Sequence, residues 1–138
     1  MSLILGKSDV ARLEEVVRND LLDSGADHVM IIDIAGNLIL EKGTVQMNDI
    51  LSLAVLSAAN FAATAQIAKL IGEEDFTLMF HKGDKRNIHF CRMGKEYLLL
   101  TLFSDSVSLG LIRLRAKNAI EKMLPIIDGM EGKRRWPS

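Results

Sequence analysis

Cysteine is almost absent from this sequence, and aromatic residues are scarce. One cysteine, Cys91, occurs in 138 residues, and Phe, Trp and Tyr together make up 5% of the chain. A single cysteine cannot form an internal disulfide, so the composition fits the reducing cytoplasm. The first residues, MSLILGK, contain an apolar run too short for the core of a signal peptide, and no basic segment precedes it. We therefore expect a cytoplasmic protein.

An excess of charge of either sign is also absent. Lys and Arg number 17 and Asp and Glu number 18, which gives a net charge of −1. This balance gives no reason to expect nucleic acid or an anionic membrane as a partner. Hydrophobic residues at 49% and charged residues at 25% are ordinary values for a folded domain. We expect one domain over residues 8–128, an N-terminal arm over 1–7 and a flexible basic tail over 129–138.

Motifs that carry chemistry are missing as well. The sequence has no G-x-x-x-x-G-K-[ST], and no G-x-G-x-x-G follows a strand, which argues against the common nucleotide-binding loops. His89 and Cys91 share one face of a predicted strand. His81 is on the strand before, and the hairpin loop at Gly83-Asp84 decides its position. A loop of two residues places His81 on the opposite face of the sheet from His89 and Cys91, and a loop of three residues places it beside them. Three ligands without a well-placed carboxylate make a poor metal site. We predict no metal, no cofactor, no catalytic residue and no enzyme activity.

Hydrophobic periodicity predicts the element order α-β-β-α-β-β-β-α. A first amphipathic helix begins at Ser8 and ends near Gly25, and a last helix begins near Ser106 or Ser108. Pro125 is expected to kink or end the last helix, because proline lacks an N–H and its ring clashes with the preceding turn. The elements between them are HVMIIDI (28–34), LILE (38–41), a helix from 48 or 49 to about 71, DFTLMFHK (75–82), RNIHFCRM (86–93) and EYLLLTLF (96–103).

The first strand and YLLLTL are apolar on both faces, so helices must cover both sides of the sheet. We therefore predict a three-layer α/β/α sandwich around a five-stranded, mostly antiparallel sheet. Asp33 stands beside the turn at 35–37 and is expected to accept hydrogen bonds from its N–H groups. In the last helix, Arg113, Arg115 and Lys117 fit a solvated face, with a binding stripe as the alternative.

The long helix has almost no charge. Residues 50–68, ILSLAVLSAANFAATAQIA, contain no Asp, Glu, Lys or Arg in a chain that is 25% charged. The segment is long enough to span a bilayer. Its polar residues and its many alanines argue against membrane insertion, and we predict that protein covers this helix. The polar residues are Ser52, Ser57, Asn60, Thr64 and Gln66.

An uncharged helix surface favours contact with another protein. At about 100° per residue, one stripe of the helix can pack on the sheet while the remaining surface is still apolar or small. Docking such a surface carries no cost of desolvating charges. Loops of the same chain that cover the helix are the alternative. The stripe consists of Ile50, Ala54, Ala58, Phe61, Ala65 and Ala68.

The strand that follows this helix, DFTLMF, contains no proline and one charge. If it is an edge strand, it invites pairing with another chain. In a symmetric dimer, two such strands join while the two long helices pack across the two-fold axis. The candidate dimer interface comprises Ala54, Ala58, Phe61, Ala65, Phe76, Leu78 and Phe80. The candidate partner-binding surface comprises Ser52, Leu56, Ala59, Asn60 and Ala63.

The element order and three segments resemble the Roadblock family of dynein light-chain-like domains, especially the bacterial MglB-type regulators of Ras-like GTPases. The segments are GADHVMIIDIAGNLIL, the alanine-rich helix and LGLIRLRAKNAIEKML, and the likeness covers residues 8–124. The resemblance implies a profilin-like sheet in the order 2-1-5-4-3, with the first and last helices on one face and the long helix on the other. It also implies homodimers joined through the third strand and the long helix.

The resemblance implies a function as well. MglB-type proteins bind a small Ras-like GTPase and regulate its nucleotide cycle by reshaping the GTPase's own switch regions, without supplying a catalytic residue. Two alternatives stay open at this point. Roadblock domains also serve as scaffold or assembly subunits, for which dimerisation is the whole role. Folds of this type can also host a small-molecule sensor.

Overall fold

The computed structural model describes residues 6–76 and 78–135, and its elements follow the predicted order. The elements are α1 Lys7–Val17, β1 His28–Asp33, β2 Leu38–Gly43, α2 Ile50–Leu70, β3 Met79–His81, β4 Asn87–Met93, β5 Tyr97–Phe103 and α3 Leu109–Arg135. After Val17, α1 continues as a π-helical turn over Arg18–Leu22. Residues 1–5 and 136–138, parts of the predicted arm and tail, lie outside the described residues.

The five strands form one sheet in the order β2-β1-β5-β4-β3, and every neighbouring pair is antiparallel. At its centre, Ile31 of β1 lies opposite Leu40 of β2 on one side and Leu99 of β5 on the other. β2 and β3 stand at the two ends of this order. The sheet order that the family resemblance implied is confirmed.

Alternate side chains of β1 contribute to a core on each face of the sheet, as expected of a strand covered on both sides. On one face, Val29 and Ile31 pack with apolar side chains of α1 and α3. On the other face, Met30 and Ile32 pack against α2. All residues of β5 are buried. The three-layer sandwich, with α1 and α3 on one face and α2 on the other, is confirmed.

The turn between β1 and β2 is held by Asp33, as predicted. One carboxylate oxygen of Asp33 accepts hydrogen bonds from the backbone N–H groups of Ala35 (3.1 Å) and Asn37 (2.8 Å). The other accepts one from the side chain of Asn37 at 2.9 Å. Gly36 has φ +95°, and a Cβ there would lie 2.9 Å from the Cα of Val55. Glycine therefore lets this turn approach the backbone of α2.

Some of the predicted helix ends are confirmed, and the predicted start of α1 is wrong. α3 begins at Leu109, and the Ser108 hydroxyl accepts a hydrogen bond from the N–H of Leu111 at 3.1 Å, so Ser108 is the cap. α2 is followed by Gly72 with φ +87°, a glycine stop that agrees with the predicted end near residue 71. The prediction that Ser8 caps α1 is wrong, because the helix begins at Lys7 and no side chain caps it.

Pro125 does not end α3, which continues to Arg135. Both Pro125 and Glu121, whose carbonyl loses its helical partner, are exposed, so water can hydrate the free carbonyl. Beyond the proline, Ile126, Ile127 and Met130 are buried in the core with α1 and hold the helix in place. Residues 129–135, predicted as part of a flexible tail, therefore continue the helix.

Pro125→Ala is expected to stabilise the protein. Proline in an exposed helix interior costs about 3 kcal/mol relative to alanine, and the substitution restores a helical N–H at a position that makes no buried contact. Thermal and urea unfolding should show a gain of about 2–3 kcal/mol. A lower midpoint for Pro125→Ala than for the unchanged protein would contradict this account of the helix.

Candidate functional site

The exposed side of α2 is mostly apolar, and Lys69 in its last turn is its one charged residue. Leu56 is 67% exposed and Leu70 is 85% exposed, far more than is usual for leucine in a folded chain. We define the outer face of α2 as its uncharged exposed residues. These are Leu51, Ser52, Val55, Leu56, Ala59, Ala62, Ala63, Gln66, Ile67 and Leu70. A contiguous apolar surface of this kind is typical of an interaction site.

The opposite side of α2 forms the core of this chain, which corrects the candidate dimer interface. Ala54, Ala58 and Phe61 are buried against Met30, Ile32 and neighbouring residues of the sheet. They are therefore unavailable to a second copy, although the sequence pattern assigned them to an interface. Ala65 is half-buried on the same side.

The outer face contains most of the predicted partner-binding residues. Ser52, Leu56, Ala59 and Ala63 are exposed there, so their outward orientation agrees with the sequence-based prediction. Asn60 differs, because it is half-buried and its amide nitrogen is enclosed without a hydrogen-bond partner among the described residues. Partner binding by these residues stays a prediction. The prediction missed four large exposed residues of this face, Leu51, Val55, Ile67 and Leu70. Their angular position around the helix axis, which the sequence gives, could have identified them.

The hydrophobicity of α2 raises the question of a membrane. Among the described residues, α2 is the one helix that is long and apolar enough to cross a bilayer. A buried helix of a water-soluble fold passes the same test, and α2 packs on a sheet along Ala54, Phe61 and Ala68. The membrane is not needed to explain its composition on that side. The apolar composition of the outer face is the part that this packing does not explain.

β3 provides a second exposed feature beside α2. Within the described residues, β3 pairs with β4 alone, so its other side is an open edge of the sheet. Phe76 and Leu78, which precede β3, are partly exposed apolar residues. Phe80 is half-buried and stacks on Phe103 with ring centroids 6.0 Å apart, so it belongs mainly to the core on the α1–α3 side. Of the predicted interface residues, Phe76 and Leu78 are thus the accessible ones.

The histidines do not form a metal site with Cys91. The register pairs Phe80 with His89 and His81 with Ile88, which places His81 on the opposite face of the sheet from His89 and Cys91. The ring of His81 packs edge-on against Phe90 at 5.4 Å. In the part of the chain that the structure describes, no three His, Cys, Asp or Glu side chains are arranged to hold a metal ion.

His89 and Cys91 are both held in neutral form. Burial, with a smaller contribution from the positive charge of Arg113, lowers the pKa of His89 from 6.5 to about 4. Burial also raises the pKa of the Cys91 thiol above its usual value, although Arg113 acts in the opposite direction. A protonated thiol is a weak nucleophile. This arrangement is consistent with a structural or ligand-contacting role.

The depressed pKa of His89 predicts a loss of stability in mild acid. Between about pH 6.5 and pH 4 the unfolded chain binds a proton at His89 that the folded chain does not, so the free energy of unfolding falls as the pH falls. From pH 7 to pH 5 the loss from this group should be about 2 kcal/mol. Urea unfolding at both pH values measures it. His89→Gln should remove this part of the pH dependence, whereas His81→Gln, at an exposed position, should retain it. An equal pH dependence in all three proteins would refute the assignment.

Comparison with known proteins agrees with the geometry. The family model for the Roadblock/LC7 domain matches residues 12–103. The structure of the gliding protein MglB from Thermus thermophilus superposes with a TM-score of 0.84 at 30% identity, covering 93% of this chain and 97% of that one. Myxococcus xanthus MglB superposes with a TM-score of 0.82 at 34% identity, covering 93% and 96%. A structure of MglB with a tetrameric arrangement gives a TM-score of 0.86 at 30% identity, covering 94% and 97%.

A more distant likeness identifies the fold class. Profilin II of Acanthamoeba castellanii superposes with a TM-score of 0.56 at 13% identity, covering 79% of this chain and 94% of that one, which shows a shared profilin-like fold. The MglB matches extend over more of the chain than the family model does, and they are also far higher in identity than the profilin match. The chain therefore belongs to the Roadblock/LC7 family, in its MglB-type branch.

Proposed function

We propose that this chain is a cytoplasmic, homodimeric regulator that binds a small Ras-like GTPase through the outer face of α2 and modulates its nucleotide cycle. The observation that carries the proposal is the outer face itself, a long helix surface of exposed aliphatic and small residues with Lys69 as the one charge beside it. Membership in the MglB-type branch supports the choice of a Ras-like GTPase, because regulation of such GTPases is the role that the resemblance implies for this branch.

The chemistry of the outer face suits docking of a folded partner. Burying a large aliphatic side chain contributes about 1.5–3 kcal/mol, and Leu51, Leu56, Ile67 and Leu70 are all exposed in the single chain. The one ionisable group among the exposed residues of α2 is Lys69 in the last turn, so a partner that docks on the first four turns desolvates no charge of α2. The small residues Ala59 and Ala63 lie between the larger ones and allow close approach of a partner backbone.

A second copy is proposed to pair along β3. The open edge of β3 offers unpaired backbone groups, and Phe76 and Leu78 add apolar surface beside it. An antiparallel pair across a two-fold axis would bring two α2 helices onto one side of a continuous sheet. Light scattering should therefore give a dimer, and Leu78→Lys should shift the equilibrium towards monomer while the far-ultraviolet circular dichroism is unchanged. A monomeric unchanged protein would overturn this part of the proposal.

Regulation without a catalytic residue is part of the same proposal. The outer face as defined above carries no ionisable group, and His89 and Cys91 lie on the other side of the sheet from α2. A protein with this surface can act on a GTPase by holding its mobile segments in one arrangement, so that the hydrolytic groups remain those of the GTPase.

The test is GTP turnover and nucleotide exchange by Ras-like proteins from the same organism, with and without this protein. Accelerated hydrolysis or exchange supports the proposal. Tight binding that changes neither rate would favour the alternative of a passive scaffold. No binding to any of these GTPases would overturn the proposal.

A further inference from the structure

A pocket of about 310 Å³ lies at the edge of the sheet, where β4 extends beyond β3. The ladder between the two strands begins at Met79 and Phe90, so Cys91 and Arg92 have no β3 partner among the described residues. Phe61 of α2 lines the pocket from one side, and residues of α3 line it from the other. No residue of the outer face lines it, so it is separate from the proposed GTPase site.

The pocket is positively charged. Arg92, Arg113 and Lys117 line it, and none of the described residues that line it is Asp or Glu. Arg92 lies with its guanidinium 4.9 Å from the centre of the Phe61 ring and 3.6 Å from a carboxylate oxygen of Asp75, which offsets part of its charge. A concave site lined by charge of one sign attracts a ligand of the opposite sign. The pocket therefore favours an anion.

The pocket also has an aromatic wall. The rings of Phe61, Phe76 and Phe90 line it, and the guanidinium of Arg92 lies over the Phe61 ring. Flat apolar surface beside a few polar groups is the usual composition of a small-molecule site, and a volume near 300 Å³ is at the small end of such sites. An inorganic ion would make no apolar contact with these rings.

His89 supplies an independent sign of a missing ligand. It lines the pocket and is 3% exposed, and its Nδ1 is enclosed without a hydrogen-bond partner among the described residues. An unpaired buried polar atom costs about 1–3 kcal/mol, so such atoms normally have a partner. The neutral imidazole can donate from one ring nitrogen or accept at the other. A ligand oxygen in the pocket would complete this group after a small movement of the ring, because Nδ1 is enclosed in the single chain.

We propose that the pocket binds a small organic anion with a flat apolar body. Its acidic group meets Arg113 and Lys117, its body packs on the phenylalanine rings, and one of its oxygens takes a hydrogen bond from His89. The site does not depend on the proposed GTPase role, and it shares Phe76 with the proposed dimer edge at β3.

Nuclear magnetic resonance titration tests the site with a defined probe. Naphthalene-2-carboxylate has the acidic group and the flat body, 2-naphthylmethanol has the body alone, and inorganic phosphate has the charge alone. We expect the carboxylate to bind at least tenfold more tightly than either control. The largest amide shifts should fall at residues 91–92 and 113–117, and the imidazole nitrogens of His89 should shift with the same affinity.

Charge-neutralising variants sharpen the test. Lys117→Gln should weaken carboxylate binding about tenfold, as expected for the loss of one charge-assisted contact, and Arg113→Gln should do the same. Lys95→Gln, at an exposed turn outside the pocket, is the matched control and should bind normally. Equal binding of the carboxylate and the alcohol, shifts confined to the outer face of α2, or an unchanged affinity in Lys117→Gln would overturn the proposal. So would an affinity that falls with rising protein concentration, because a second copy would then be the occupant.

Discussion

Ala58→Arg is expected to unfold the protein or to destabilise it by about 4 kcal/mol or more, whereas Ala59→Arg should leave the fold intact. Ala58 is 6% exposed and packs with Met30 and Ile32 under α2. An arginine there overpacks the core and buries a charge without a partner. Both are among the few mechanisms by which one substitution lowers the free energy of unfolding by this much. Ala59 is the next residue along the helix and belongs to the outer face.

Urea unfolding followed by circular dichroism measures both variants. A typical domain is stable by about 5–15 kcal/mol in total, so Ala58→Arg should lose most of its native signal or unfold at much lower urea. Ala59→Arg should shift by less than about 0.5–1 kcal/mol, as is usual for an exposed helix position. If Ala58→Arg folded normally and only became monomeric, the assignment of this stripe to the core would be wrong and the interface interpretation would be restored.

The sequence predicts most of the fold because its patterns are local and redundant. β1 and β5 are apolar at nearly every position, which requires helices on both faces of the sheet, and the structure has them. Turn residues such as Asp33 and Gly36 fix where the chain reverses. Sheet order does not follow from these patterns, since five strands can be arranged in many ways. It came from the family resemblance.

The orientation of α2 shows what periodicity leaves undetermined. The spacing of Ala54, Ala58 and Phe61 establishes that they share a stripe, but small residues fit close packing on a sheet as well as close packing between two helices. Choosing between the two requires knowing which stripe the sheet occupies, and that depends on contacts with Met30 and other distant residues. Pro125 is a second case in which the local pattern does not decide the structure. Proline disfavours a helix at its own position, but the packing of the residues that follow it in the core outweighs this preference.

The sequence alone does not predict the pocket at the β3 edge. His81 and His89 are placed by the register of one hairpin, and a shift of one residue exchanges their faces. In the sequence alone, Arg113 and Lys117 fit a solvated face, with a binding stripe as the alternative. Their position beside His89 depends on how α3 crosses β4, which no local pattern encodes.

Leu56→Arg is expected to weaken binding of the GTPase partner about 100-fold and to abolish its effect on GTP turnover, without unfolding the protein. Leu56 is 67% exposed and stands among uncharged residues of the outer face. Truncation of a hot-spot residue at the centre of an interface costs about 2 kcal/mol or more in binding, and an arginine adds a charge that the docked partner must desolvate. About 2.7 kcal/mol corresponds to the expected 100-fold change.

Leu114→Arg is the matched control for this loss. Leu114 is a leucine of α3 that is 54% exposed on the opposite side of the sheet, so the same substitution changes charge and helix propensity equally but away from the outer face. Calorimetric titration with the GTPase should give normal affinity for Leu114→Arg, and light scattering should show both variants in the oligomeric state of the unchanged protein. Because the oligomer is preserved, a loss confined to Leu56→Arg reports the partner contact itself. Equal affinity of the two variants would remove the outer face from the GTPase contact, since a partner docked on Leu56 would have to desolvate the new arginine.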